Sequence, residues 1–151
     1  MTYSKESYRG KFTPKRPEKY VGDVKSIVYR SSYELRFMKW CDQNDSILKW
    51  NSEEVVVPYF SPVDKKMHRY FVDFVIEIMT TKGELKVYLV EVKPSKYTKE
   101  PVPPKRKTRH FIEEVMQWEV NKAKWASARH FAGTKGWEFM LVTEKDLGIT
   151  S

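Results

Sequence analysis

Cysteine is almost missing from this chain of 151 residues: Cys41 is the only one. No internal disulfide can therefore staple the fold, and a reducing, intracellular setting is expected. Histidine is nearly as scarce. His68, His110 and His130 are scattered, and with one thiol they give no zinc-binding spacing. Long apolar runs are missing as well. No stretch approaches the roughly 20 residues that span a bilayer, and the opening Met1-Thr2-Tyr3-Ser4-Lys5-Glu6 has no signal-peptide core. Membrane insertion, secretion by a signal peptide and a zinc-built fold are set aside on these grounds.

What remains suits one packed domain. The length allows a single core, and aromatic residues make up 15% of the chain. The net charge of +8 is unevenly spread. Residues 1–30 hold eight Lys or Arg against three acids, and residues 94–109 hold six against one, which leaves −2 for the rest. Two basic segments on a near-neutral body fit contacts to a phosphate backbone, a source of affinity without base readout. Solvated mobile segments would have the same composition. Residues 1–25, with Pro14 and Pro17 among Lys, Arg and Tyr, are expected to form a basic, mobile arm. Residues 26–151 are expected to form one domain, with a basic proline-rich loop at 94–108.

The chemistry is concentrated between Tyr70 and Lys93. Tyr70 to Ile78 and Lys86 to Lys93 are rich in β-branched and aromatic residues, and Thr80-Thr81-Lys82-Gly83 between them is turn material. A hairpin folded about Lys82 sets Asp73 opposite Glu91, with Cβ atoms roughly 4.5–5.5 Å apart. Alternation then puts Phe71, Asp73, Val75 and Glu77 on one face, with Val87, Leu89, Glu91 and Lys93 facing them. Two carboxylates side by side on an apolar face repel unless a cation lies between them or one takes a proton. Carboxylates, a main-chain carbonyl and water are the ligands that Mg²⁺ prefers, and Lys93 on the same face puts an ammonium beside the ion's water. The bland alternative is an exposed charged face with an ordinary salt bridge.

Elsewhere the pattern is helix, strands, helix, strand. Ser31-Ser32-Tyr33-Glu34 opens a helix that runs to about Gln43. Glu34 falls at the third helical position of a capping box, and a second reading of it comes with the resemblance below. Ile47-Leu48-Lys49-Trp50 and Glu54–Tyr59 read as strands, the second put at an edge by Pro58, with Ser61–Lys66 as a polar loop. A second helix is expected from about Arg109 to Ala132, with an apolar stripe from Phe111 to Phe131 and Gly133 as its cap. Residues 137–142 read as a strand, and Thr143 as the cap of a short terminal helix. The order of a helix, strands, a helix and a strand points to an α/β fold with a metal-binding β-hairpin; it is similar to the core topology of the PD-(D/E)XK nuclease superfamily, which implies a mixed sheet flanked by helices.

Asp73, then Glu91-Val92-Lys93 on the neighbouring strand, resembles the motif of the PD-(D/E)XK nuclease superfamily, with Val72 where that pattern has proline. Ser31-Ser32-Tyr33-Glu34-Leu35-Arg36-Phe37, Val57-Pro58-Tyr59, Arg69-Tyr70-Phe71-Val72-Asp73-Phe74, Val90-Glu91-Val92-Lys93-Pro94 and Val142-Thr143-Glu144-Lys145-Asp146-Leu147 follow in order. In that order they resemble the head completion nucleases of tailed myophages and, more distantly, the catalytic domain of transposon-end nucleases. The resemblance implies a Mg²⁺- or Mn²⁺-dependent DNA nuclease that trims the packaged DNA end before neck and tail join. It implies metal ligation by Asp73, Glu91 and the Val92 carbonyl, water activation by Lys93, and a helix-borne acid in Glu34. It also implies DNA as partner, contact with portal or neck proteins, and a place in the host cytoplasm or at the virion head and neck. A branched-DNA or transposon-end endonuclease, and a non-catalytic DNA-binding head protein, are the alternatives. Lys96, Lys99, Lys105, Arg106, Lys107, Arg109, Lys15 and Arg16 are the candidate DNA contacts.

Overall fold

A computed structural model describes residues 9–148 of the chain. In order, the elements are β1 (Gly10–Lys11), β2 (Val28–Tyr29), α1 (Ser32–Gln43), β3 (Ile47–Ser52), β4 (Val56–Ser61) and β5 (Lys66–Phe71), then β6 (Phe74–Met79), β7 (Leu85–Val92), α2 (Arg109–Thr134) and β8 (Glu138–Val142). The central sheet has the order β3-β6-β7-β8. Its first two pairings are antiparallel and β7-β8 is parallel, α2 being the crossover. Among the described residues no helix is long and apolar enough to cross a membrane.

The sheet is covered on both faces, and the period of two decides which residue goes where. Phe74, Ile76, Val90, Val92 and Val142 point into a core with Phe37, Met38 and Cys41 of α1. Leu89 and, partly buried, Val75, Phe139 and Leu141 point the other way, against Trp125, Ala128 and Ala132 of α2. The α/β reading and the flanking helices therefore hold.

The hairpin register also holds. Phe74 pairs with Val90, Ile76 with Tyr88 and Met79 with Leu85, and the turn closes through Thr80 and Gly83, whose φ of 79° suits glycine. Its first strand, however, is not continuous from Tyr70. The chain breaks at Val72–Asp73: Tyr70 and Phe71 pair with Val57 and Val56 in a separate β4-β5 hairpin. Val72 N–H goes to the Val55 carbonyl rather than to β7. Ser61–Lys66, expected as a loop, is the tight end of that second hairpin, with Lys65 at a φ of 58°. Phe71 is consequently exposed and shares no face with Asp73. Pro58 lies within β4 opposite Arg69, in a two-stranded sheet that has free edges.

Four further expectations change. Residues 9–25 are not an extended arm. Phe12 and Tyr20 enter the core against Trp50, and the buried Lys19 ammonium donates to the carbonyls of Cys41, Asp42 and Asn44 at the end of α1. Residues 1–8, the rest of that expected arm, lie outside the described residues. The buried stripe of α2 is Asn121, Trp125, Ala128 and Ala132, whereas Ile112 and Met116 are exposed. The cap glycine is Gly136, not Gly133: Trp137 N–H returns to Ala132 O and Gly136 N–H to Gly133 O around a φ of 72°. After β8 the described chain makes turns rather than a helix, held by Thr143 N–H on the Asp146 carboxylate.

Candidate active site

The break at Asp73 has a structural consequence. With Val72 turned away, Val92 N–H at the end of β7 has lost the backbone partner that a longer β6 would supply. Asp73 replaces it: its Oδ2 accepts from Val92 N–H at 2.9 Å. One carboxylate oxygen is thus anchored to the strand that carries Glu91 and Lys93, and Oδ1 remains for other ligands.

Glu91 lies at the same end of β7 and is only 5% exposed. It points to the α2 side, where both oxygens are held. Tyr70 Oη donates to Oε1 at 2.8 Å, and the Trp125 indole N–H donates to Oε2. Lys93 Nζ stands 4.0 Å from Oε2. A buried carboxylate needs such donors, and the sequence reading missed both. The signal was there: Tyr70 adjoins the motif, and Trp125 is spaced four and three residues from Asn121 and Ala128 on the buried stripe.

Glu34 enters from the first turn of α1. Ser31 Oγ accepts from Glu34 N–H at 3.1 Å, so the serine half of the capping box is formed. The Glu34 carboxyl is pushed up, chiefly by burial and also by Glu53, and is held down by a hydrogen bond from the Arg30 backbone and by the charges of Arg30 and Lys93. Arg30 itself is engaged by Glu53 through two bonds, at 3.1 and 2.9 Å.

Electrostatics ties these groups together. Burial pushes the Asp73 carboxyl well above the usual carboxylate range; Glu91 and then Glu34 push it further, against the Val92 N–H and Lys93. Burial, then Glu91 and Asp73, keep the Tyr70 hydroxyl protonated far above its ordinary range. Glu34, Asp73, Glu91 and Lys93 thus share one electrostatic neighbourhood, with three carboxyls against one ammonium. Oxygen donors with excess negative charge suit a hard divalent cation. The side chains as they stand do not form a finished metal centre: among the described residues no three His, Cys, Asp or Glu groups converge closely enough to hold an ion. The metal-binding hairpin of the sequence reading is therefore not displayed, and Glu91 is turned toward Tyr70 and Trp125.

The candidate DNA contacts divide into two groups. Lys96 and Lys99 lie just beyond Lys93, on and after a 3-10 turn (Ser95–Thr98). Lys105, Arg106 and Lys107 are exposed on the following loop, and Arg109 pairs with Glu113 at the start of α2. Lys15 and Arg16 sit elsewhere. Their backbone N–H groups donate to Asp42, and the Arg16 guanidinium pairs with Asp45. That is the C-terminal end of α1, about 12 Å along the axis from Glu34 at 1.5 Å per residue.

Two comparisons bear on this arrangement. The family model described as TnsA-like endonuclease N terminal matches residues 44–144, about two-thirds of the chain and a span that contains Asp73, Glu91 and Lys93. The head completion nuclease of Enterobacteria phage T4 is 39% identical over 145 residues, which cover 93% of this chain and 94% of that protein. The chain belongs to the TnsA-like N-terminal endonuclease family.

Proposed function

We propose that this protein is a metal-dependent DNA nuclease of phage head completion, and that Glu34, Asp73, Glu91 and Lys93 form its hydrolytic site. The observation that carries the site assignment is the meeting at the end of β7 of Asp73, bound to Val92 N–H, with the buried Glu91 and with Lys93 at 4.0 Å from Glu91. The relative that spans nearly the whole chain supplies the biological setting.

Asp73, Glu91 and the Val92 carbonyl would hold Mg²⁺ or Mn²⁺, with Glu34 as a further acid on the helix side. Bound there, the ion supplies a lowered pKa for water and neutralises charge on the phosphate. Asp73 is pre-aimed, because Val92 N–H fixes its Oδ2 and presents Oδ1. Tyr70 and Trp125 hold both Glu91 oxygens on the α2 side, so Glu91 would reach the ion through a remaining lone pair or by turning away from them. Lys93, half-buried and next to Glu91, orients the attacking water and offsets charge that grows on the scissile phosphate. Lys96, Lys99, Lys105, Arg106, Lys107 and Arg109 flank this end of the sheet and supply backbone contacts to DNA. Lys15 and Arg16 lie at the far end of α1, so a contact there serves a more distant part of the duplex or a portal or neck protein.

The experiment is cleavage of supercoiled plasmid by the purified chain, with Mg²⁺ and with EDTA. Nicked or linear product only with the ion is expected. Equal cleavage in EDTA contradicts the metal mechanism, and no cleavage with any divalent ion favours a non-catalytic DNA-binding role.

A further inference from the structure

Just past Lys93 the chain makes an unusually well-tied turn. Ser95 N–H and Ser95 Oγ both donate to the Glu144 carboxylate, which follows β8. Thr98 Oγ1 donates back to the Ser95 carbonyl at 2.7 Å, and Tyr97 N–H to the Pro94 carbonyl at 2.9 Å. A proline-flanked basic segment does not need such anchoring merely to stay in solution. What the turn displays is Tyr97, 44% exposed, with the Lys96 ammonium 4.8 Å from its ring centre.

Tyr97 lines a cleft of about 850 Å³ between this turn and the first half of α2, together with Lys96, Lys99 and Trp118. Both walls lead to the catalytic end of the sheet. One is covalently continuous with Lys93 through Pro94. On the other, Trp118 packs edge-on against Trp125, whose indole holds Glu91. Three acids also line the cleft: Glu113 is paired with Arg109 and Glu114 with His110, Glu100 makes no ion pair, and Lys96 and Lys99 have no acidic partner among the described residues.

An exposed aromatic ring on a rigid support, flanked by unpaired lysines, is the chemistry that binds unpaired nucleotides: the base stacks and the ammonium groups follow the backbone. A duplex cannot offer a base face without unstacking. We propose that this cleft takes single-stranded DNA next to the scissile phosphate, with Tyr97 as the stacking platform and Lys96 and Lys99 as backbone contacts. The inference rests on the nuclease reading and narrows its substrate to DNA with an unpaired segment, such as a frayed or overhanging end.

The test is equilibrium binding of the full chain in EDTA, where cleavage plays no part, to a blunt duplex and to the same duplex with a single-stranded fork. Wild type is expected to bind the fork more tightly. Tyr97→Ala should lose about 5- to 150-fold on the fork, the range for one stacked base, and less than about twofold on the blunt duplex. Tyr97→Trp should restore fork binding. Because Tyr97 is largely exposed, a normal melting curve for Tyr97→Ala checks that the fold is intact. Equal affinity of wild type for the two DNAs, or equal losses on both, would overturn the proposal. Failure of the nuclease reading appears separately, as absence of cleavage with Mg²⁺ whatever the fork binding shows.

Discussion

Tyr70→Phe isolates the grip on Glu91. The tyrosine ring is buried among Val57, Tyr59, Val72, Leu89 and Trp125, and phenylalanine retains all of that packing. Only the hydroxyl is lost, and with it the 2.8 Å bond to Glu91 Oε1. Both partners are nearly inaccessible, at 4% and 5% exposure, so water is a poor replacement. Hydrogen bonds to charged groups contribute about 1.5–3 kcal/mol, and an abandoned buried acceptor costs a similar amount. For a chain of this size, each kcal/mol is about 2–4 °C in Tm. Thermal denaturation in EDTA at pH 7, followed by circular dichroism, should therefore show a fall of roughly 3–12 °C. Nuclease activity, or affinity for the ion, should drop about 10–100-fold, the usual cost of removing a group that orients a metal ligand. A Tm within about 1 °C of wild type, with normal cleavage, would refute the idea that Tyr70 holds Glu91 for work.

The remaining predictions concern charge. Lys93→Ala should keep the fold and bind DNA and Mn²⁺ but lose most cleavage; wild-type turnover would return Lys93 to an ordinary pairing with Glu91. Glu34→Gln preserves a side chain able to complete a capping box, and losing its charge near the helix N-terminus costs about 0.3–1 kcal/mol. Collapse of cleavage with nearly unchanged melting is expected, whereas normal cleavage leaves Glu34 as a cap alone. The pH dependence of stability follows from Asp73. Its raised folded-state pKa means that the native chain retains a proton that the unfolded chain releases, so stability in EDTA should fall as pH rises from about 4 through that folded pKa. Asp73→Asn should flatten that fall and melt higher than wild type at its alkaline end; an identical slope in both proteins would contradict the raised Asp73 pKa.

Short-range patterns were the most legible part of the chain. The Ser31 cap, the turn around Gly83 and the register that sets Asp73 against Glu91 all depend on residues close in sequence or on strict alternation. The interruption at Val72 was not legible, because Tyr70 to Ile78 has strand-forming residues throughout. Only the competing partner Val55, which takes the Val72 N–H, draws Val72 out of the ladder. The docking of residues 9–25 was hidden for a similar reason. Lys19 reads as one more surface charge until the carbonyls at the end of α1 are seen to surround its ammonium. At the site, the acids and Lys93 stood out as ionisable residues among apolar ones. Their supports did not, since Tyr70 and Trp125 look like plain core residues until their polar atoms meet Glu91. Gly133 follows the apolar stripe and so suggests the cap, but the positive φ belongs to Gly136, three residues later.

Asp73, bound to Val92 N–H beside Glu91, is expected to be part of a site for a divalent cation. Calorimetric titration of Mn²⁺ into the metal-free chain tests it most directly, with Asp73→Asn as the comparison. Asparagine can still accept from Val92 N–H and relieves the repulsion, so the variant stays folded and any change reports on the site itself. Saturable binding by wild type that is lost or weakened at least about tenfold in Asp73→Asn is predicted. Equal binding by the two proteins would contradict the account.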